Sequence, residues 1–146
     1  HEAFNKMEYG GVPIIAALHP NETYDRAELS QLEALENAHN RLTIGTGNMQ
    51  HYLQGCDYVV TQNSSLGFQG YFLQKPLILF GKTDFHHIAL DVHKLGVADA
   101  FSAWTDHAPD YAAYLYWFLQ KQAINAGRPE TQSLIRAALQ RHGWPV

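Results

Sequence analysis

Short apolar runs alternate with amphipathic stretches through the first 81 residues. The apolar runs predict buried strands at residues 12–18, 42–44, 58–61 and 77–80. Between them, the spacing of apolar side chains predicts helices at residues 24–38, 49–53 and 65–73. Strands and helices that alternate in this way form parallel sheets with right-handed crossovers. The pattern therefore predicts a Rossmann-like α/β fold, a parallel sheet flanked by helices on both faces.

The pattern is weaker after Gly81 and becomes clear again at a long helix predicted for residues 111–126. Gly127-Arg128-Pro129 should end that helix, and residues 130–141 should form a last one, with Pro129 in its first turn. The first of these helices is apolar nearly all round. We expect it to expose an apolar patch that suits an interface or self-association, containing at least one of Tyr114, Tyr116, Trp117 or Phe118.

Two polar turns follow predicted strands. His19-Pro20-Asn21 comes after the first strand, and Gln62-Asn63-Ser64-Ser65 comes after the third, just before a helix. A single serine there is commonly a helix cap, and a single histidine commonly bonds to nearby backbone. Because ligands bind beyond the carboxyl ends of parallel strands, the two turns together favour a binding site. We expect His19 and the serine pair to lie at one edge of one sheet, beside a common cavity, where hydroxyl and helix N–H groups hold an anion.

Composition narrows the possible functions. The 146 residues are 46% hydrophobic and 16% charged, which fits one globular domain. A net charge of -4 argues against a nucleic-acid binder. A single cysteine, Cys56, excludes an intramolecular disulfide and favours a cytoplasmic location.

The stretches "IIAALHPNE" and "DYVVTQNSSLGFQGYFLQKPLILFG" resemble the bacterial capsular polysaccharide glycosyltransferases of the Kdo-transferase type. That family carries a His-Pro motif after one strand and a Ser-Ser or Ser-Thr motif after a later one. The turn Gln74-Lys75-Pro76 is similar to the family's Gly-Lys-Pro turn. The resemblance covers about residues 12 to 95, and bacterial sialyltransferases share the two motifs.

The resemblance implies the C-terminal, donor-binding half of a two-domain GT-B glycosyltransferase that takes a CMP-sugar donor and a saccharide acceptor. It implies peripheral association of the whole protein with the inner membrane, no cofactor, and a catalytic base in an N-terminal domain that this chain lacks. The chain alone should therefore be inactive. The nucleotide-sugar-binding residues so implied are His19, Pro20, Asn63, Ser64, Ser65 and Gln69. His19 would contact the donor phosphate, the two serines would hold the phosphate or ribose, and Gln69 stands where relatives carry a glutamate for the ribose.

A further loop, "FGKTDFHHIAL", follows the fourth strand at the same predicted edge. Lys82 could pair with a phosphate or remain a solvated surface lysine, and His86 could border the donor or acceptor. Adjacent histidines suggest a metal, but His86 and His87 point opposite ways in an extended chain, and no His-x-x-x-His or Cys pair supports them. We therefore expect no metal.

Two other functions fit the fold class. A UDP-sugar epimerase-like domain would need carboxylates around the sugar, and the polar turns contain none. A non-catalytic domain that binds a nucleotide or another small anion would use the same turns without a reaction.

Overall fold

A computed structural model of the chain describes residues 11–19 and 21–145. The chain divides between His107 and Ala108 into two compact units. The described elements of the first unit are, in order, β1 Ile14–Ala17, α1 Arg26–Ala38, β2 Leu42–Gly45, α2 Met49–Gly55, β3 Val59–Thr61, α3 Leu66–Tyr71, β4 Leu77–Leu79, a 3₁₀ turn His86–Ile88, β5 Leu90–Asp91, α4 Val92–Leu95 and α5 Val97–Ala103.

The larger sheet has the order β3-β4-β5, and all three strands run parallel. Its central strand, β4, is entirely buried, with Leu77, Ile78 and Leu79 each 0% exposed. Because side chains alternate between the faces of a strand, Ile78 points to one side and the two leucines to the other. Ile78 packs in a cluster with Leu90 and Phe101, the latter from α5.

Helix α3 covers the opposite face, and two glycines let it approach closely. A Cβ at Gly67 would lie 2.8 Å from a methyl group of Leu77, and one at Gly70 would lie 3.3 Å from a methyl group of Val59. The missing side chains of Gly67 and Gly70 therefore keep α3 slim where the strands approach it. With α5 on one face and α3 on the other, the sheet has the layered arrangement of a Rossmann-like α/β domain.

The smaller sheet consists of β1 and β2, paired in parallel from Ile14 with Leu42 to Ala17 with Gly45. It is much less covered than the larger sheet. Ile14 and Leu42 are buried, but the side chain of Ile15 is 52% exposed, and α1 contains no buried residue. Helix α1 nevertheless begins as the sequence favours, because Asp25 and Glu28 form a reciprocal capping box.

The α/β class and the parallel strands were predicted correctly, and the four predicted strands and three predicted helices before Gly81 all form. The single sheet was wrong: no ladder among the described residues joins β1 to β3, so the strands form two small sheets. Four elements of the first unit after Gly81 were missed, namely the 3₁₀ turn, β5, α4 and α5. β5 and α4 have only two and four residues, which is too short for a periodic pattern to develop, and α5 was missed although it is as long as α2.

The second unit contains α6 Tyr111–Tyr116, which continues as a π-helical segment, Trp117–Gln122, and then α7 Thr131–Arg141. The predicted helix 111–126 was therefore too long. The N–H of Ala123 bonds to the carbonyl of Phe118, which closes the wider π turn, and the Asn125 side chain accepts from the N–H of Gly127, which favours a turn. Pro129 lies before α7 rather than in its first turn.

Of the four rings expected at an apolar patch, two are exposed. Tyr116 is 58% and Trp117 37% exposed, whereas Tyr114 is buried and Phe118 is partly buried. Tyr116 and Trp117 therefore face solvent, while the apolar patch that suits an interface or self-association remains a prediction.

Candidate functional site

The turn after β1 selects one tautomer of the neutral His19 ring. The backbone N–H of Asn21 donates to Nδ1 of His19, 3.3 Å away. An N–H can only donate, so Nδ1 carries a lone pair, and the proton of the neutral ring is on Nε2. The backbone N–H of His19 donates to the hydroxyl of Tyr24, which helps to hold the turn. His19 is exposed, and its Nε2–H is available as a donor to an anionic oxygen. Pro20 lies outside the described residues.

The turn after β3 presents two hydroxyl groups in different states. Ser64 is partly buried, and its Oγ accepts from the N–H of Leu66 at 3.2 Å, while its own N–H donates to the Thr61 hydroxyl. Ser65 is exposed and makes no side-chain cap bond. The N–H groups of Leu66 and Gly67 are engaged with Ser64. The turn therefore offers a ligand its hydroxyl protons rather than these two N–H groups.

Helix α3 places Gln69 one turn beyond Ser65. The N–H of Gln69 donates to the Ser65 carbonyl, and residues four apart lie on the same helix face. Both side chains are exposed, as is that of Asn63. A hydroxyl and an amide are thus stacked along one edge of the helix, where they could contact neighbouring hydroxyl groups of a sugar.

The loop after β4 lies directly beside the serine turn. A Cβ at Gly81 would overlap the carbonyl oxygen of Gln62, so the two backbones touch there. Lys82 follows immediately and is exposed. Further along, the Tyr71 hydroxyl donates to the carbonyl of Phe85 at 3.0 Å, which ties the loop to α3. These two contacts bring Lys82 and the residues after Phe85 to the carboxyl edge of β3 and β4.

His86 and His87 lie in a 3₁₀ turn, not in extended chain, and their rings stack with centroids 4.3 Å apart. The expectation that they point opposite ways was wrong, because the turn brings the two rings onto the same side. Nδ1 of His86 contacts the carbonyl oxygen of Thr83. A carbonyl only accepts, so this nitrogen bears a proton and Nε2 is the nitrogen left for other partners.

Sequence reasoning missed His93 and Thr83, which also belong to this edge. Nε2 of His93 donates to the carbonyl of Phe80, at the end of β4, over 2.7 Å. The hydroxyl oxygen of Thr83 is buried and has no hydrogen-bond partner among the described residues. His93 lies in the short helix α4, which the weak sequence pattern did not reveal. Thr83 lies between two other polar residues, Lys82 and Asp84, so nothing in the sequence singles out its hydroxyl group.

Two other kinds of chemistry, metal binding and nucleophilic attack by Cys56, find little support among the described residues. Within residues 11–19 and 21–145, no three His, Cys, Asp or Glu side chains form a group that could hold a metal ion. Burial raises the pKa of the Cys56 thiol, although the charge of Lys75 opposes the shift. The thiol therefore remains protonated at neutral pH, and it donates to the carbonyl of Leu53. A protonated thiol is a poor nucleophile.

The structure thus gathers most of the expected residues around the larger sheet. Asn63, Ser64, Ser65, Gln69, Lys82 and His86 all lie on segments that follow β3 or β4 and that contact one another. His19 follows β1, in the smaller sheet. The common cavity for His19 and the serines remains a prediction.

Comparisons with known proteins point to one family. Residues 13–128 match the family model described as "Capsule polysaccharide biosynthesis protein". No curated protein and no solved structure matches the chain in the corresponding searches. In the part of the chain that the structure describes, no helix is long and apolar enough to cross a membrane. The match spans both polar turns and well over half of the sequence, and the chain therefore belongs to the capsule polysaccharide biosynthesis protein family.

Proposed function

We propose that the chain is the donor-binding part of a glycosyltransferase of capsule synthesis, which holds the phosphate and ribose of a CMP-sugar, Kdo-like in type. The observation that carries the proposal is the family match, which includes both the His-Pro and the Ser-Ser turn. We assign the binding of the acceptor saccharide and the catalytic base to the remainder of the protein, and peripheral attachment at the inner membrane to the protein as a whole.

The hydrogen-bonding state of the turns supports this assignment. His19 offers Nε2–H, and Ser64 can donate its hydroxyl proton while its oxygen accepts from the Leu66 N–H. Ser65 adds a second hydroxyl, and Lys82 adds a positive charge nearby. Neutral donors with one cation can hold a monophosphate in a protein whose net charge is negative. Gln69 would accept a hydrogen bond from a ribose hydroxyl, more weakly than a carboxylate does.

Calorimetric titration with CMP, UMP and inorganic phosphate tests the proposal. We expect CMP to bind more tightly than UMP. His19→Ala should weaken CMP binding by about 1–2 kcal/mol, the scale of one hydrogen bond to a charged group. Tighter binding of UMP would favour the epimerase-like alternative. Equal binding of phosphate and both nucleotides would favour a non-catalytic anion-binding domain.

A comparison of the two serines separates ligand binding from folding. Ser65→Ala removes a hydroxyl that caps nothing, so it should weaken CMP binding and leave the free energy of unfolding unchanged. Ser64→Ala removes the bond to the Leu66 N–H and should also lower the free energy of unfolding by about 1 kcal/mol.

A double-mutant cycle with His19→Ala and Ser65→Ala tests whether the turns share one ligand. If both contact the same phosphate, their effects on CMP affinity should be non-additive by at least about 0.5 kcal/mol. Strictly additive effects would place the two turns at separate sites.

A further inference from the structure

Helix α7 has an apolar face that is exposed in the described structure. Leu134 is 40% and Ile135 44% exposed, and the helix contains no buried residue. Trp144, just beyond the helix, is 64% exposed. Large apolar side chains grouped in this way are typical of a surface that meets a partner.

The face is bordered by arginines on both sides. At about 100° per residue, Leu134, Ile135, Ala138 and Leu139 fall within an arc of about 140°. Arg141 lies about 20° beyond one border of that arc, and Arg136 lies about 60° beyond the other. Both arginines are exposed, and neither pairs with a described acidic side chain. Long basic side chains in this arrangement can keep their charge in a polar phase while their stems lie on an apolar one.

The end of the helix brings Trp144 back towards this face. Gly143 adopts a φ of 76°, the N–H of Gly143 bonds to the carbonyl of Gln140, and that of Trp144 bonds to the carbonyl of Leu139. These two bonds form a Schellman motif, in which the residue at the Trp144 position commonly lies next to that at the Leu139 position. A ring in this position is suited to extend the apolar face beyond the last turn.

Charge distinguishes this surface from the other exposed leucines. Residues 108–146 carry four Lys or Arg and two Asp or Glu, whereas residues 1–107 carry six and twelve. Helix α1 exposes Leu29 to 42%, nearly the same as Leu134, but contains Glu28, Glu33 and Glu36. An anionic surface would therefore attract α7 and repel α1.

We propose that the segment 131–145, which we name the C-terminal segment, lies flat on the anionic surface of a lipid bilayer. Leu134, Ile135 and Trp144 enter the boundary between headgroups and acyl chains, and Arg136 and Arg141 contact lipid phosphates. The C-terminal segment lies outside residues 13–128, which match the family model, so the proposal does not depend on the donor site.

Vesicle flotation of the full chain tests the proposal. We expect binding to vesicles of phosphatidylcholine with phosphatidylglycerol, weaker binding at high salt, and little binding to phosphatidylcholine alone. Arg136→Gln and Arg141→Gln should each weaken binding roughly fivefold. Leu134→Gln should weaken it more than Leu29→Gln, the control of matched exposure in the acidic helix.

Three results would overturn the proposal: no binding to either vesicle, equal binding to both, or equal effects of the two leucine substitutions. If Leu134→Gln instead abolishes self-association in sedimentation, the surface is an interface between copies of the chain. Circular dichroism of each variant separates loss of binding from loss of folding. CMP titration of the same variants should be unchanged, which keeps this test distinct from that of the donor site.

Discussion

Strands β1 and β4 both consist of apolar residues, but the structure buries them to different extents. Residues Leu77–Leu79 of β4 are completely buried between α3 and α5, whereas Ile15 in β1 is half exposed. The apolar runs predict both strands correctly, but burial depends on what packs against each face. Gly67 allows α3 to approach β4 and Gly70 allows it to approach β3, whereas a Cβ at Gly45 of β2 would meet nothing within 4 Å. Hydrophobicity therefore predicts that a strand forms, and the helices that pack against it determine how much it contributes to the free energy of unfolding.

Matched isoleucine substitutions should give the largest difference between the two sheets. Ile78→Ala removes a fully buried side chain from the core cluster and should lower the free energy of unfolding by about 2–5 kcal/mol. Ile15→Ala should cost less than about 1 kcal/mol, because half of the side chain is already in water. Urea denaturation measures both. Equal losses would mean that the outer face of β1 is covered in solution. If Ile78→Ala does not fold, Ile78→Val should still cost about 0.5–1.5 kcal/mol.

Two glycines give the next largest difference. Gly81→Ala would force a Cβ against the backbone carbonyl of Gln62, which cannot move as a side-chain tip can, and should cost about 1–3 kcal/mol. At Gly45 a Cβ meets nothing within 4 Å, so Gly45→Ala should be neutral or stabilise by up to about 1 kcal/mol. Thermal unfolding of the two variants checks this. A harmless Gly81→Ala would contradict the close contact between the loops after β3 and β4.

A smaller effect, of opposite sign, is expected at Gln74. This residue lies in the turn that follows α3 and has a φ of 55°, a conformation that favours glycine, at the position where the related turn carries glycine. Gln74→Gly should raise the free energy of unfolding by about 0.5–1 kcal/mol, because relief of strain exceeds the entropy that glycine costs. The control is Gln54→Gly within α2, which should be destabilising by about 1 kcal/mol. Destabilisation by both would show that the Gln74 side chain contributes more than its backbone strain costs.

The smallest effect concerns alkaline pH. Burial raises the pKa of Tyr58, whose ring packs against the core cluster of the larger sheet. The unfolded chain then loses this proton before the folded chain does, so stability is full below the ordinary pKa near 10 and falls as pH rises above it. Tyr58→Phe should make this fall shallower in urea denaturation at increasing pH. It should not abolish it, because burial also raises the pKa values of Cys56 and Tyr111. An unchanged slope would exclude Tyr58 as a contributor.

The sequence was most informative where local rules decide the structure. The alternation of apolar runs and amphipathic stretches predicted the four strands and three helices before Gly81, and all of them form. Sequence reasoning also found the serine turn. It did not predict two separate sheets, because whether β1 pairs with β3 depends on long-range contacts that no short pattern encodes. It missed the short elements after Gly81 and, with them, His93.

Side-chain chemistry at the site was less predictable than its position. The residue types at His19 and Ser64 were evident, but which ring nitrogen or hydroxyl remains available depends on bonds to Asn21 and Leu66. The stacking of His86 on His87 depends on the 3₁₀ turn, and two adjacent histidines in a sequence do not predict such a turn.

The strand registers also have a kinetic consequence. Val59 pairs with Leu77 and Ile78 with Leu90, whereas Ile14 must find Leu42, so the larger sheet closes shorter loops than the smaller one. Shorter loops lose less chain entropy on closure. The strands that these shorter loops connect also carry the most deeply buried side chains. The strands β3 to β5 thus have both the smaller entropic barrier and the larger energetic gain, and we expect them to form first and β1 and β2 to be added later in folding.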